Sequence, residues 1–300
     1  MQGRDSIAAI PPRGRSVGGG AARGAGVVRR VAGRGTLLGY FDRLAIINLP
    51  ERTDRIAALR RELARVGIGL DNPKTTIPHA PRPSDANGFP SRGVYGSFLS
   101  HLEIIEAAER DGLESVWVLE DDAIFSRRFE QAQGQVARLL SEHPWDLCYV
   151  GHSLSRGLPR SPTGLLRYNG PFTWAHCYAV HRRAMRPLID YLRLAIDRPV
   201  GHPEGGKLYI DGAYSHFRMQ NPQIVSLVAS PCLSVQKGSP SSLNDGPWYD
   251  RAAALRSLAT AARAARDELW RRGMLHIGPK GEMGDETPDP ARFPATPWPA

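Results

Sequence analysis

The sequence predicts an α/β fold with a mostly parallel central sheet and flanking helices, and three observations carry that reading. Short apolar runs alternate along the chain with stretches whose apolar residues recur every three or four positions, the pattern of strands feeding helices. One run, SVWVLEDD (Ser115 to Asp122), has Val116, Trp117, Val118 and Leu119 in unbroken succession, as a strand buried on both faces requires. The dinucleotide fingerprint GxGxxG is missing between the first strand and the first helix, where NLPERTDR stands instead, so this is not a Rossmann cofactor domain.

Taken in order, residues 1–40 are rich in Gly, Ala and Arg without hydrophobic period and read as a disordered extension. LAIINL (Leu44 to Leu49) is the first strand and the expected start of the folded chain, closed by Pro50. In ERTDRIAALRRELARVG, Ile56, Leu59, Leu63 and Val66 form the apolar stripe of a helix that Gly67 stops. Asp71 to Gly93 contains five prolines and reads as loop. The next helix is expected to start at Gly96 or Ser97, bury Phe98, Leu102, Ile105 and Ala108, and end at Gly112; His101 sits beside that stripe.

After the SVWVLEDD strand come a helix from Phe129 to Glu142 and a strand in WDLCYVG (Trp145 to Gly151). A strand from Trp174 to Val180 then leads to a helix marked by Ala184, Leu188 and Leu192. A helix starting near Asp211, one late strand in IVSLVASPCLSVQ (Ile224 to Gln236), the polar loop KGSPSSLND and a helix over 250–272 complete a single domain of residues 41–275. Residues 276–300 are proline-rich and read as a disordered tail.

Composition narrows the function classes. Seven arginines against Asp5 give residues 1–40 a charge of +6, leaving only +3 of the total +9 for the rest. That segment lacks the interleaved aromatics of a nucleic-acid binder, so no specific nucleic acid is expected. At most it makes weak contact with an anionic surface such as the inner membrane face. Cys148, Cys177 and Cys232 are odd in number and far apart, which suits free thiols in a reducing compartment. No apolar run reaches the length of a bilayer span, so the reading is a soluble cytoplasmic protein with no transmembrane segment.

Chemistry concentrates at Glu120, Asp121 and Asp122. Three carboxylates at one strand tip repel each other, and burial raises their pKa values unless a cation or a set of donors compensates. A divalent metal is one such compensation, and in open α/β sheets ligands lie beyond the carboxyl ends of strands. Helix capping and solvation are the other. Asn48, Arg52 and Arg55, past the end of the first strand, can offer donors to a nucleotide or serve as turn and surface residues. Asp211 suits either a helix cap or a base.

The motifs INLPERTDR (Ile47 to Arg55), GVYGSFLSHL (Gly93 to Leu102), VLEDD (Val118 to Asp122) and the block from Trp174 to Ala184 together resemble the family 25 glycosyltransferases. These include lipopolysaccharide and lipooligosaccharide galactosyltransferases of bacteria and collagen galactosyltransferases. The resemblance runs from Leu44 to Asp245. It departs at Val94 and Tyr95, where an acid is common, at Ser97, where a cysteine is common, and at His176, in a block usually less polar.

The resemblance implies a GT-A-like nucleotide-sugar-binding fold and inverting transfer of a hexose, galactose first, from a UDP-sugar, with UDP-galactose favoured. The acceptor would be a hydroxyl of a glycan or another molecule. It also implies a Mn²⁺ or Mg²⁺ ion held by Asp122 and Glu120. Asn48, Arg52, Arg55 and His101 would then face the substrate, as would Glu120 and Gln236, with Asp211 as catalytic base and Asp121 as a structural residue. A metal-dependent phosphohydrolase and a non-catalytic nucleotide- or glycan-binding protein are the alternatives.

Overall fold

A computed structural model describes residues 36–154, 158, 159, 161, 164–237, 253–274, 296 and 297. The central sheet grows outward from the two apolar runs singled out above. Strand β1 (Arg43–Ile47) and β3 (Ser115–Glu120) lie side by side and parallel, with Ala45 opposite Val118. On the other side of β3 runs β7 (Cys177–His181), antiparallel. Then come β5 (Leu147–Tyr149), β8 (Ser226–Ala229), β6 (Leu165–Arg167) and β10 (Thr296–Pro297), and β2 (Thr75–Thr76) forms the far edge beside β1. Strands β6 and β7 run against the rest, so the sheet is parallel in most of its strands, as expected.

Alternate residues of β3 face opposite ways and find different partners. Val116 and Val118 pack into a core with α3 (Arg92–Arg110), α5 (Arg182–Asp197) and α6 (Ile210–Gln220), through Phe98, Ile105, Leu188 and Phe217. Trp117 and Leu119 pack on the opposite face with α2 (Thr53–Arg65) and α4 (Phe129–Glu142), through Leu59, Leu63, Val136 and Leu140. The expectation of a strand buried on both sides holds.

Several expectations need correction. The helix carrying His101 starts at Arg92, not at Gly96 or Ser97, because Ser91 caps it with its hydroxyl 3.1 Å from the Val94 N–H. Gly96 lies within it, where a Cβ would come 3.1 Å from the Pro81 carbonyl, so close passage of the 81–83 loop explains that glycine. His101 is fully buried rather than at the margin. The single late strand divides at Ser230–Pro231 into β8 and β9 (Ser234–Gln236); β9 leaves the main sheet and pairs antiparallel with β4 (Ala123–Phe125).

At the N-terminal side, packed chain begins before Leu44. Leu37–Tyr40 is a short helix, α1, capped by Thr36, with Leu37 and Leu38 buried in the second core. Thr296–Pro297, in the expected tail, adds an edge strand beside β6. Residues 1–35, the polar loop beyond Lys237 and the rest of the tail lie outside the described residues. The last helix, α7 (Ala253–Arg271), seats Trp270 against Ile124 and Val235 of the β4–β9 ribbon. No helix among the described residues is long and apolar enough to cross a membrane.

Candidate active site

The three acids occupy the turn where the chain leaves β3 for β4. The Glu120 N–H donates to the His176 carbonyl (2.8 Å) and the Asp121 N–H to the Ile47 carbonyl (3.1 Å), so the turn is fixed from both neighbouring strands. Each acid then meets a different environment.

Glu120 turns toward the α3 side. Its Oε1 lies 3.2 Å from His101 Nε2, and its Oε2 accepts from Gln236 Nε2 at 3.1 Å. His101 Nδ1 is 2.8 Å from the Tyr178 hydroxyl, which is 2.7 Å from the Tyr214 hydroxyl on α6. With Nε2–H donated to Glu120, Nδ1 accepts from Tyr178 and Tyr178 accepts from Tyr214, which gives every member of the relay a partner. Burial raises Glu120's pKa, but its interactions with His101, with His176 and with Gln236 together outweigh it and leave the carboxyl below its ordinary value. Burial drives both tyrosines well above theirs, so they stay neutral donors.

Asp121 turns toward α2, where its Oδ1 sits 2.9 Å from Arg55 Nη1 in a largely buried ion pair. Burial raises its pKa and the charge of Glu120 adds to that, while Arg55 opposes both. Asp122 gets less help, since the charge of Arg55 lowers its pKa without offsetting burial. Its Oδ1 is buried without a hydrogen-bond partner, and burial, reinforced by the charges of Glu120 and Asp121, lifts its pKa to about 8.

Arg52, Asp54, Arg55, Ala58, Asp121, Asp122 and Lys237 line a cleft of about 110 Å³ at this turn. The residues expected at the site therefore fall into two sets. Arg52, Arg55 and Asp122 border the cleft, whereas Glu120, His101 and Gln236 form a hydrogen-bonded cluster behind it. Arg52 grips Asp54 with two bonds of 2.9 Å. Asn48 is buried, donates to the Leu49 carbonyl at 2.9 Å and is not among the cleft's lining residues.

Asp211 is farther round the sheet end. Its Oδ2 accepts the Trp174 N–H at 3.0 Å and its Oδ1 the Gly212 N–H at 2.8 Å. Burial raises its pKa, those two bonds pull it back, and the charge of Glu120 adds to the rise. Sequence reading missed Tyr178 and Tyr214, whose only sequence signal is aromatic placement at buried positions, and the Arg55–Asp121 pair, whose members stand 66 residues apart.

The donor set fits a hard divalent cation in one way. Both oxygens of Glu120 are engaged, and Asp121 is paired, so Asp122 Oδ1 is the carboxylate oxygen of the turn left bare. Among the described residues no three His, Cys, Asp or Glu side chains converge as a ready metal cage. Magnesium-type ions are commonly held by one or two carboxylates with water and phosphate oxygens completing the shell, which suits Asp122 as ligand and leaves Glu120 as its neighbour.

No protein-family model matches the chain, and no curated protein matches it either. Among solved structures it is similar to a glycosyltransferase involved in the glycosylation of the major capsid of PBCV-1, at 14% identity and a TM-score of 0.38, over 75% of this chain and 97% of that one. It is also similar to mannose-1-phosphate geranyltransferase from Thermus thermophilus, at 13% identity and a TM-score of 0.34, over 64% of this chain and 74% of that one.

Proposed function

We propose that the chain is a metal-assisted glycosyltransferase that takes a hexose from a nucleotide sugar and places it on a hydroxyl acceptor. The observation that carries this reading is the bare, buried oxygen of Asp122 in a cleft that also holds Arg52, Arg55 and Lys237. A lone buried carboxylate oxygen beside cations is a poor resting arrangement for a protein but a suitable seat for a cation that arrives with a diphosphate. When bound there, Mn²⁺ or Mg²⁺ would neutralise the charge that develops on the departing nucleoside diphosphate.

The chain's own residues supply the rest. Arg55, fixed by Asp121, and Lys237, whose N–H donates to the Asp122 carbonyl at 2.7 Å, present positive charge along the cleft. Glu120, held on both oxygens by His101 and Gln236, braces the turn that presents Asp122. The resemblance to family 25 favours UDP-galactose as donor, inversion at the anomeric carbon and a glycan acceptor. Inversion calls for a base on the acceptor hydroxyl, and Asp211, already accepting two backbone N–H groups, is anchored first to the loop that carries Trp174. A phosphohydrolase would want several bare acids, and this turn offers one.

The test is calorimetric binding of a panel of nucleotide sugars, with and without Mn²⁺, to the wild type and to Asp122→Ala. One nucleotide sugar bound only when both metal and Asp122 are present is the expected result. Binding indifferent to Asp122, or none at all, rejects the reading.

A further inference from the structure

Trp174 stands in the backbone region that bulky side chains avoid, with φ of 72°. Such a conformation persists only where the surroundings impose it, and it concentrates at ligand sites. Here the surroundings are a helical face built for the purpose. Asp211, Ser215 and Arg218 follow one another along α6 at spacings of four and three, one stripe of the helix. Each holds one residue of the segment running past it in the opposite direction. Asp211 accepts the Trp174 N–H at 3.0 Å; Ser215 Oγ bonds both the Phe172 N–H (3.3 Å) and its carbonyl (3.0 Å); Arg218 donates to the Gly170 carbonyl (3.1 Å) and stacks over the Phe172 ring at 4.0 Å. Arg218 is fully buried, and its hydrogen-bond partners are the neutral Tyr149, Gly170 and Ser215. A buried cation used to clamp a loop shows how firmly residues 170–174 are held.

The clamped loop delivers its tryptophan to the site. The Trp174 ring packs on the small cluster of Ile124, Val235 and Trp270, in which Ile124 and Val235 oppose each other across the β4–β9 ribbon, and lies 6.2 Å from the ring of His176. The Lys237 N–H bond to the Asp122 carbonyl carries the ribbon register one rung further, so the ribbon on which Trp174 packs ends at Asp122 and Lys237. Two residues after Trp174, the His176 carbonyl accepts the Glu120 N–H at 2.8 Å, so the loop runs directly into the acidic turn, with Trp174 beside the residues that line the cleft rather than among them. It stays partly exposed there.

We infer that Trp174 is the platform for a pyranose ring, its indole face packing against the ring's C–H face, and that Asp211 is a positioning residue that holds the platform. The inference rests on the transferase reading and adds the place of the sugar. An aromatic face and a pyranose match because both present a flat apolar surface with polar groups at the edge. The ring is either that of the donor or that of the acceptor, and both share this chemistry.

The experiment uses the full chain with Mn²⁺ and follows saturation-transfer NMR and affinity for UDP, UDP-galactose, UDP-glucose and the methyl β-pyranosides of galactose and glucose. In the wild type, saturation is expected on sugar ring protons. Trp174→Ala should weaken the sugar contact about tenfold with UDP binding unchanged. Trp174→Phe should retain most of the contact and guards against a folding artefact. Loss confined to the UDP-sugars places the donor ring on Trp174; loss confined to the methyl pyranosides places the acceptor there. Asp211→Asn, which keeps an oxygen for the Trp174 N–H, should match the wild type, whereas Asp211→Ala should match Trp174→Ala. Sugar contacts that are absent in the wild type, or within twofold of it in Trp174→Ala, overturn the inference, as does an Asp211→Asn that fails like Asp211→Ala. If UDP still binds through Asp122 in those cases, the transferase reading survives without it; if UDP does not bind at all, both fall.

Discussion

The two sides of the acidic turn are built on opposite rules. On the Glu120 side, both carboxylate oxygens, both His101 nitrogens and the Tyr178 hydroxyl have partners. On the Asp122 side, two residues away, a carboxylate oxygen is buried with none. Folded proteins match nearly all their buried polar groups, because an unmatched one costs a large share of their small net stability. The first side is therefore scaffold that the chain completes by itself, and the second is the side that the proposed metal and diphosphate would complete.

Asp122→Asn should separate the two sides most sharply. Metal-dependent nucleotide-sugar binding should fall at least a hundredfold, while urea unfolding at pH 7 should show the ligand-free chain stabilised by about 2–4 kcal/mol, since a carboxyl with pKa near 8 resists the charge it carries when unfolded. A destabilised variant would mean that the oxygen is matched after all. Its neighbour should move less: Asp121→Asn removes one charge of the Arg55 pair and also a carboxylate that burial disfavours, so the same measurement should show a smaller change than at Asp122.

Acid provides the next test. Burial holds His152 and His176 near pKa 4, below the usual 6.5, so from pH 6.5 down to 4 the unfolded chain binds protons that the folded chain refuses. Stability should fall across that window by about 3 kcal/mol per histidine and level off below it. His152→Gln should remove its share of the slope in a pH series of melts.

On the matched side, His101→Phe strands Glu120 Oε1 and leaves the Tyr178 hydroxyl with Tyr214 alone, and should cost about 2 kcal/mol, with nucleotide binding far less affected than by Asp122→Asn. The smallest effect belongs to Arg52→Ala. Its pair with Asp54 holds that carboxyl down at about 2, yet the pair is solvent-screened, so unfolding free energies from thermal melts should change by no more than about 0.5 kcal/mol.

What the sequence revealed follows the range of the forces involved. Strands β1 and β3 and helices α2 and α4 were legible because unbroken apolar runs and three-to-four spacing record burial directly. The early start of α3 depended on the Ser91 side chain capping Val94 N–H, a bond that competes with downstream start positions and leaves no periodic trace in the sequence. The two-residue strand β2 and the three-residue β6 are too short to leave a pattern. At the site, the cluster of acids was visible, but its division of labour was not. That Glu120 belongs to His101, Asp121 to Arg55, and Asp211 to Trp174 depends on contacts made only after the sheet has formed.

The β4–β9 ribbon also sets the order in which the site can come into being. Gln236 reaches Glu120 across 116 residues of chain, and Lys237 meets Asp122 from the same strand end. Chains emerge from the ribosome N-terminal end first, so every acid of the turn is made long before the strand that closes around it. A nascent chain halted before Ser234 would carry the complete acidic motif, no assembled pocket, and an open β4 edge able to recruit a neighbouring polypeptide.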